Sequence, residues 1–309
     1  SAPWCSVAKY YLSTCLDKTP SSPMLSTLLM AGPAFQPLGA ASLVRENTTT
    51  YDSARALLFA KFSAAAYCDA DAINAWTCPP CVDADPSFTA KAIHNSSTNM
   101  QALVGAGDGY IVVAFRGTDG LEDWLYNLQF PKDSVYPKCD GCKVEEGFHK
   151  SWVSLQDGVV AEVKRLLPLQ QSPKLFITGH SLGAAQAALC AAELGASSHS
   201  LGIPVDAVYT YGQPRVGNSA FASFYMGGSR VSYRLTHHRD PVPHVPLQSM
   251  GFQHVGTEVF YDEDNDSYKV CDGSGEDSSC SNQYWAETSI SDHLSYLHPP
   301  LTGEISRLC

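Results

Sequence analysis

Two kinds of sequence are missing from this chain. No run of about 18 apolar residues occurs, so no membrane-spanning helix is expected. Basic residues are few: 20 Lys and Arg stand against 31 Asp and Glu, a formal net charge of −11. That balance argues against nucleic acid and against electrostatic docking on anionic membranes. No internal repeat and no clear linker divides the 309 residues, a length that suits one large α/β unit with a sizeable core. The opening Ser1-Ala2-Pro3 lacks a charged-then-apolar signal pattern, as expected of a mature protein whose signal peptide has been removed.

Cysteine, by contrast, is plentiful. Eleven cysteines point to an oxidising, extracellular compartment. Sequons at Asn47, Asn95 and Asn265 make those residues glycosylation candidates and fit secretion. Residues 1–50 are rich in Ser, Thr, Pro and Ala and are expected to form an N-terminal arm packed on a main domain of residues 51–309. Cys5 and Cys15 would close a small loop within the arm.

In the main domain Leu57, Leu58, Phe62 and Ala65 recur at helical spacing between Tyr51 and Tyr67. Tyr110 to Phe115 is a continuous apolar run typical of a buried strand. Phe148 to Leu167 reads as a helix stopped by Pro168. Lys174 to Thr178, Val205 to Tyr211, Val231 to Leu235 and Val255 to Tyr261 read as further strands, with helical patterns between several of them. Such alternation implies an α/β fold, a mostly parallel central sheet covered by helices.

Gly179-His180-Ser181-Leu182-Gly183 follows one of these strands and precedes an Ala/Leu-rich run. It fits G-x-S-x-G, the nucleophile elbow. A serine at the tip of a sharp strand-to-helix turn has a strained backbone, so its neighbours must lack bulk. The helix behind it offers free N–H groups and a positive dipole end to a developing oxyanion. Cys190, nine residues on among Ala and Leu, reads as a buried free thiol.

A serine hydroxyl needs a base, and the base an orienter, which in such hydrolases follow in the order Ser, Asp or Glu, His. Asp240 lies past the carboxyl end of the strand Val231 to Leu235, whereas Asp206 opens a strand at the wrong edge of the sheet. His244, His254, His293 and His298 come after Asp240. His244 is too close in sequence to turn back onto Asp240, His254 precedes a strand, and His298 abuts Pro299-Pro300. His293 lies in a late loop that could fold over the sheet edge, but order alone leaves a purely structural histidine open.

Five ordered stretches then resemble the fungal class 3 lipases, the family of the Rhizomucor and Thermomyces enzymes: Ala114-Phe115-Arg116-Gly117-Thr118, Gly179 to Gly183, Tyr211 to Gly217, Arg239 to His244 and Asp292-His293-Leu294-Ser295-Tyr296. The resemblance covers about residue 51 to the end and leaves residues 1–50 out. It implies an α/β-hydrolase fold with Ser181 as nucleophile, Asp240 as orienter and His293 as base. It also implies Thr118 as one oxyanion donor, beside the Leu182 amide that follows the nucleophile. Leu121, Trp124, Leu125 and Leu128 fall on one helical face. Beside an oxyanion residue that face resembles the lipase lid; without the resemblance, a helix buried in the core would be the preferred reading. Full burial of the four side chains is worth roughly 6–12 kcal/mol at most. A closed lid would therefore open preferentially at an oil–water interface.

The resemblance bears on the cysteines too. Cys68 with Cys309 would tie the first helix to the C-terminus. Cys78 with Cys81, and Cys271 with Cys280, match positions of family disulfides. Cys5 with Cys15 and Cys139 with Cys142 would complete the set without a family counterpart. Zinc or redox roles for the two C-x-x-C pairs have suitable spacing but are disfavoured in a secreted hydrolase. The acidic run Asp262 to Asp266 lacks the glycine and the final acid of an EF-hand loop and reads as a solvated hairpin turn, kept outside by a glycan on Asn265.

The expectation is a secreted lipase that hydrolyses carboxylic esters of acylglycerols at a lipid–water interface, without cofactor or metal. Phospholipase A1 and feruloyl esterase are rivals within the same fold, and the apolar face of residues 121–128 disfavours the latter. A non-catalytic lipid-binding protein on a hydrolase scaffold is the rival of another class, disfavoured by the intact set Ser181, Asp240 and His293.

Overall fold

The computed structural model describes residues 39–45, 50–118, 120, 121, 125, 130–136, 139–195, 203–228, 230–284, 288–297 and 309. The chain divides into Ser1–Pro37 and Leu38–Cys309. Cys5, Cys15, Asn47, Trp124, Leu128 and most of the expected arm lie outside the described residues.

Helices α1 (Ala40–Arg45), α2 (Ser53–Ala65), α3 (Ala70–Ala75) and α4 (Pro79–Ala84) come first. Strands β1 (Thr89–Asn95), β2 (Met100–Gly107) and β3 (Tyr110–Phe115) follow. A two-stranded ribbon of β4 (Lys132–Asp133) and β5 (Val144–Glu145) leads into α5 (Glu146–Leu166). Then come β6 (Lys174–His180), α6 (Leu182–Gly195), β7 (Ala207–Tyr211), α7 (Ser219–Met226), β8 (Val231–His237), β9 (Thr257–Tyr261), β10 (Tyr268–Val270) and α8 (Ile290–Leu294).

The main sheet runs β1-β2-β3-β6-β7-β8-β9-β10. Its centre, β3 to β9, is parallel, and antiparallel strands close both edges. Both faces are covered. In β3 the side chains Ile111, Val113 and Phe115 join the core under α5, α6 and α7, whereas Tyr110, Val112 and Ala114 join the core under α2. A strand buried on both sides reads as an unbroken apolar run for this reason. The arrangement, a mostly parallel sheet between helical layers with a strand–Ser–helix turn at its centre, is that of the α/β-hydrolase fold.

Local chemistry explains the element ends. Asp52 caps α2 by accepting from Arg55 N at 2.7 Å. Glu145 caps α5 by accepting from Phe148 N at 2.6 Å, so the helix begins two residues ahead of the expected start. Phe148, Trp152, Leu155, Val159, Val163 and Leu166 then recur every three or four residues and are all buried. Strands β1 and β2 have no counterpart among the sequence expectations: both are rich in Ala and mix polar with apolar positions, so neither gives a strand-like run.

Disulfides join Cys68 to Cys309, Cys78 to Cys81, Cys139 to Cys142, and Cys271 to Cys280. Cys190 is free and buried in α6. Residues 262–267 form the turn of the β9–β10 hairpin, as the acidic run suggested. Asn265, however, corrects the glycan expectation. It is 6% exposed at a φ of 60°, turned inward. Its Nδ2 donates to His237 Nε2 at 3.0 Å and its Oδ1 accepts from Leu297 N at 3.0 Å. A glycan on that nitrogen would displace the contact with His237. Asn95 is partly exposed, with Nδ2 donating to Ser154 O at 3.0 Å.

Candidate active site

The site is built where β6 ends. Ser181 occupies a φ of 60°, the left-handed region that costs a non-glycine residue free energy. Three backbone bonds hold it there: its N–H donates to Tyr211 O at 2.9 Å, and its carbonyl accepts from Ala184 N at 2.9 Å and from Ala185 N at 3.4 Å. The turn is tight on both sides. A Cβ on Gly179 would strike the Gly183 carbonyl, and one on Gly183 would strike the carbonyl of Phe115 at the end of β3. Ser181 is buried, and its Oγ has no hydrogen-bond partner among the described residues.

Asp240 follows β8, its N–H bonded to His237 O at 2.9 Å. His293 comes from α8, and its Nδ1 lies 2.9 Å from both Asp240 carboxylate oxygens. A carboxylate accepts, so Nδ1 carries the proton and Nε2 presents its lone pair. That Nε2 is buried and, among the described residues, unpartnered. Asp240 also accepts from Val242 N at 2.8 Å and from the Tyr296 hydroxyl. Burial alone would raise the Asp240 pKa, but electrostatic attraction to His293 and the hydrogen bonds from His293, Tyr296 and Val242 together bring it below the usual carboxylate value. Gly212, past β7 at a φ of 56°, is the floor beneath the pair: a Cβ there would lie 2.6 Å from His293 Cε1 and 2.8 Å from Asp240 Oδ2.

His293 thus lies in a short helix rather than the expected late loop, and that helix is pinned to the end of β8. Asp292 accepts from His238 Nδ1 and from Arg239 N, each at 3.0 Å, and its backbone carbonyl accepts from His237 Nδ1 at 2.8 Å. Ser289 caps α8, its Oγ accepting from Asp292 N at 3.3 Å.

On the other flank β3 runs into Gly117, so close to the elbow that a Cβ would lie 2.8 Å from His180 O and 3.1 Å from Ser181 Cβ. Thr118 is the next residue, half-buried, with Oγ1 accepting from Gly120 N at 3.3 Å. Leu182 opens α6, so its N–H is one of those a helix start leaves without an intrahelical partner. Leu121 is buried and Leu125 partly so; Trp124 and Leu128 lie outside the described residues. Past that segment, Phe130 meets Phe252 edge-on at 6.2 Å between ring centres, and Lys132 sits 4.3 Å over the Phe252 ring.

Sequence reasoning gave no role to Tyr296, Gly212, Asp292 or His180. Tyr296 stands three residues after His293, within the Asp292-to-Tyr296 stretch, so its spacing was a usable signal. The others also lie within the quoted stretches, but their contacts join residues far apart in the chain, which spacing does not show. Among the described residues the grouping of metal-ligand types is Cys271, Asp277 and Cys280, and its two sulfurs are bonded to each other. No described helix is long and apolar enough to cross a membrane.

Residues 112–250 match the class 3 lipases. The chain is 39% identical over 223 residues to a lipase of Rhizomucor miehei, covering 70% of this chain and 61% of that protein. It is 33% identical over 244 residues to a secreted mono- and diacylglycerol lipase of Fusarium solani, covering 73% of this chain and 70% of the relative. A solved triacylglycerol lipase whose catalytic centre is described as a serine-protease triad superposes with a TM-score of 0.69 at 35% identity, over 78% of this chain and 92% of that one.

Proposed function

The chain belongs to the class 3 lipase family, and from that premise we propose that it hydrolyses carboxylic esters of acylglycerols through an acyl-enzyme. The observation that carries this reading is the pair of buried, unpartnered atoms Ser181 Oγ and His293 Nε2, with Asp240 fixing the tautomer of the histidine. Ser181 Oγ attacks the ester carbonyl while His293 Nε2 takes its proton. Asp240 stabilises the imidazolium that forms. The amides of Thr118 and Leu182 receive the oxyanion, each donor worth about 10²–10³ in rate. Nε2 returns its proton to the departing alcohol, and water, deprotonated by the same nitrogen, releases the acid.

The apolar face of Leu121, Trp124, Leu125 and Leu128 acts as a lid that opens against lipid, since exposing it to water is unfavourable. Four disulfides and a relative named as secreted support an extracellular site of action. The test is hydrolysis rate against triacylglycerol concentration across the solubility limit, with Ser181→Ala as control. A jump in rate when droplets form, absent in the variant, is expected. A rate that saturates on dissolved ester and ignores the emulsion would make the protein an esterase and the apolar face a core helix.

A further inference from the structure

We propose that His180, the residue before the nucleophile, is a positioning residue for the base: it ties the backbone of His293 to the serine's own turn and backs the His293 ring with its face. This rests on the reading of Ser181 and His293 given above.

His180 is the last residue of β6 and is 2% exposed. Its Nε2 lies 2.8 Å from the backbone carbonyl of His293. A carbonyl oxygen only accepts, so Nε2 carries the hydrogen. Nδ1 is then an acceptor, and the Tyr67 hydroxyl, 2.9 Å away, donates to it. Two neighbours from opposite sides of the ring therefore select one neutral tautomer. The His180 and His293 rings lie 4.4 Å apart at 33°, and the Tyr296 ring meets His180 edge-on at 6.0 Å.

The consequence for the reaction is mechanical and electrostatic. Ser181 is one peptide bond from His180, so the path from nucleophile to base runs through one side chain and one hydrogen bond. Any movement of the elbow carries the base with it. The groups that face His180 are Tyr67, His293, Tyr296 and, through space, Asp240. Burial, then the adjacent His293, push the His180 pKa down to about 3, so it stays neutral while His293 gains its proton. A neutral ring offers the imidazolium a π-face, where a second charge at that distance would oppose it. Gly117 serves the same junction, since a side chain there would overlap the Tyr67 hydroxyl.

Three variants separate positioning from packing. His180→Gln keeps an N–H donor near the place of Nε2, His180→Phe keeps a ring without a donor, and Tyr67→Phe releases the tautomer. Each is assayed on a soluble short-chain ester for kcat and KM, for its rate of labelling by a fluorophosphonate, and for Tm. A misplaced base costs about 10²-fold, so kcat of His180→Phe should fall by about that factor with KM unchanged. His180→Gln should recover about tenfold of the loss, and Tyr67→Phe should show a smaller fall in kcat together with a lowered Tm, because the buried His180 Nδ1 loses its donor. Equal kcat losses in the Gln and Phe variants that follow Tm would overturn the proposal, as would wild-type kcat in both. If His180→Phe does not fold, Tyr67→Phe decides, assayed well below its own Tm: lowered kcat with KM unchanged supports the tether, and unchanged kcat refutes it. Wild-type protein that the fluorophosphonate fails to label would instead sink the hydrolase reading itself.

Discussion

The nucleophile and the base are held by different physics. Around Ser181 the constraint is steric: a φ of 60°, three backbone hydrogen bonds, and Gly179 and Gly183 where any Cβ would collide. Around His293 the constraint is a network of hydrogen bonds. Asp240, Tyr296, Asp292, His237, His238 and Asn265 each accept from or donate to a group on a different element. The first arrangement is a five-residue turn packed between the ends of β3 and β7, at Phe115 and Tyr211. The second needs residues more than fifty positions apart to meet, and every donor removed leaves a buried acceptor behind. Shape therefore secures the nucleophile, and polar satisfaction secures the base.

That contrast can be broken from either side. Asp240→Asn keeps the shape but offers His293 a donor, which favours the wrong tautomer; kcat should fall by about 10⁴-fold while Tm changes little. A matching collapse of Tm would show that the pair is structural first. Gly179→Ala should do the reverse, since its Cβ meets the backbone of Gly183. Overpacking of this kind costs about 1–3 kcal/mol, read as a drop in Tm with activity lost alongside it. Unchanged Tm would mean that the elbow yields more readily than its geometry suggests.

Tyr296→Phe removes one of the hydrogen bonds to Asp240 and leaves the other contacts in place. A single bond to a charged group is worth about 1.5–3 kcal/mol, of which the neighbouring donors compensate part, so we expect kcat to fall about tenfold. Activity equal to wild type would reduce the tyrosine to packing.

The smallest effect is on the pH dependence of stability. His180 and His254 are buried and neutral, the first with its pKa pushed down to about 3 and the second well below the usual value, in both cases chiefly by burial. Below pH 6.5, the ordinary imidazole value, the unfolded chain binds protons that these folded groups refuse, so stability declines as pH falls. Asp240, Glu276 and Asp292 have lowered pKa values. Their contribution is full above the ordinary carboxylate range and disappears as pH drops through their folded values. Tm should thus decline gently below about pH 6.5 and steeply below about pH 4. A Tm level from pH 7 to 4 would contradict the neutral histidines.

Several elements are legible in the amino-acid sequence. Tyr110 to Phe115 is β3 to the residue, because burial on both faces leaves an unbroken apolar run. The helix expected from Phe148 starts only two residues earlier, just after its Glu145 cap. Strands β1 and β2 are not legible, because Ala and Gly carry no periodic signal. Asn265 misleads for a related reason: a sequon in an acidic turn reports composition, whereas the direction of that side chain depends on His237 and Leu297 across the hairpin. Among the four histidines after Asp240, sequence order leaves the choice open, and only the family resemblance favours His293.

By itself the sequence determined the α/β alternation and the strand–Ser–helix turn, since both depend on sterics and burial among near neighbours. Tertiary structure alone decided how His293 meets Asp240, which nitrogen it leaves free, and that His180 grips the backbone of His293. Those contacts join residues 53 and 113 positions apart. A hydrogen bond has no period along the chain, so its partner is known only when the sheet has brought the two together.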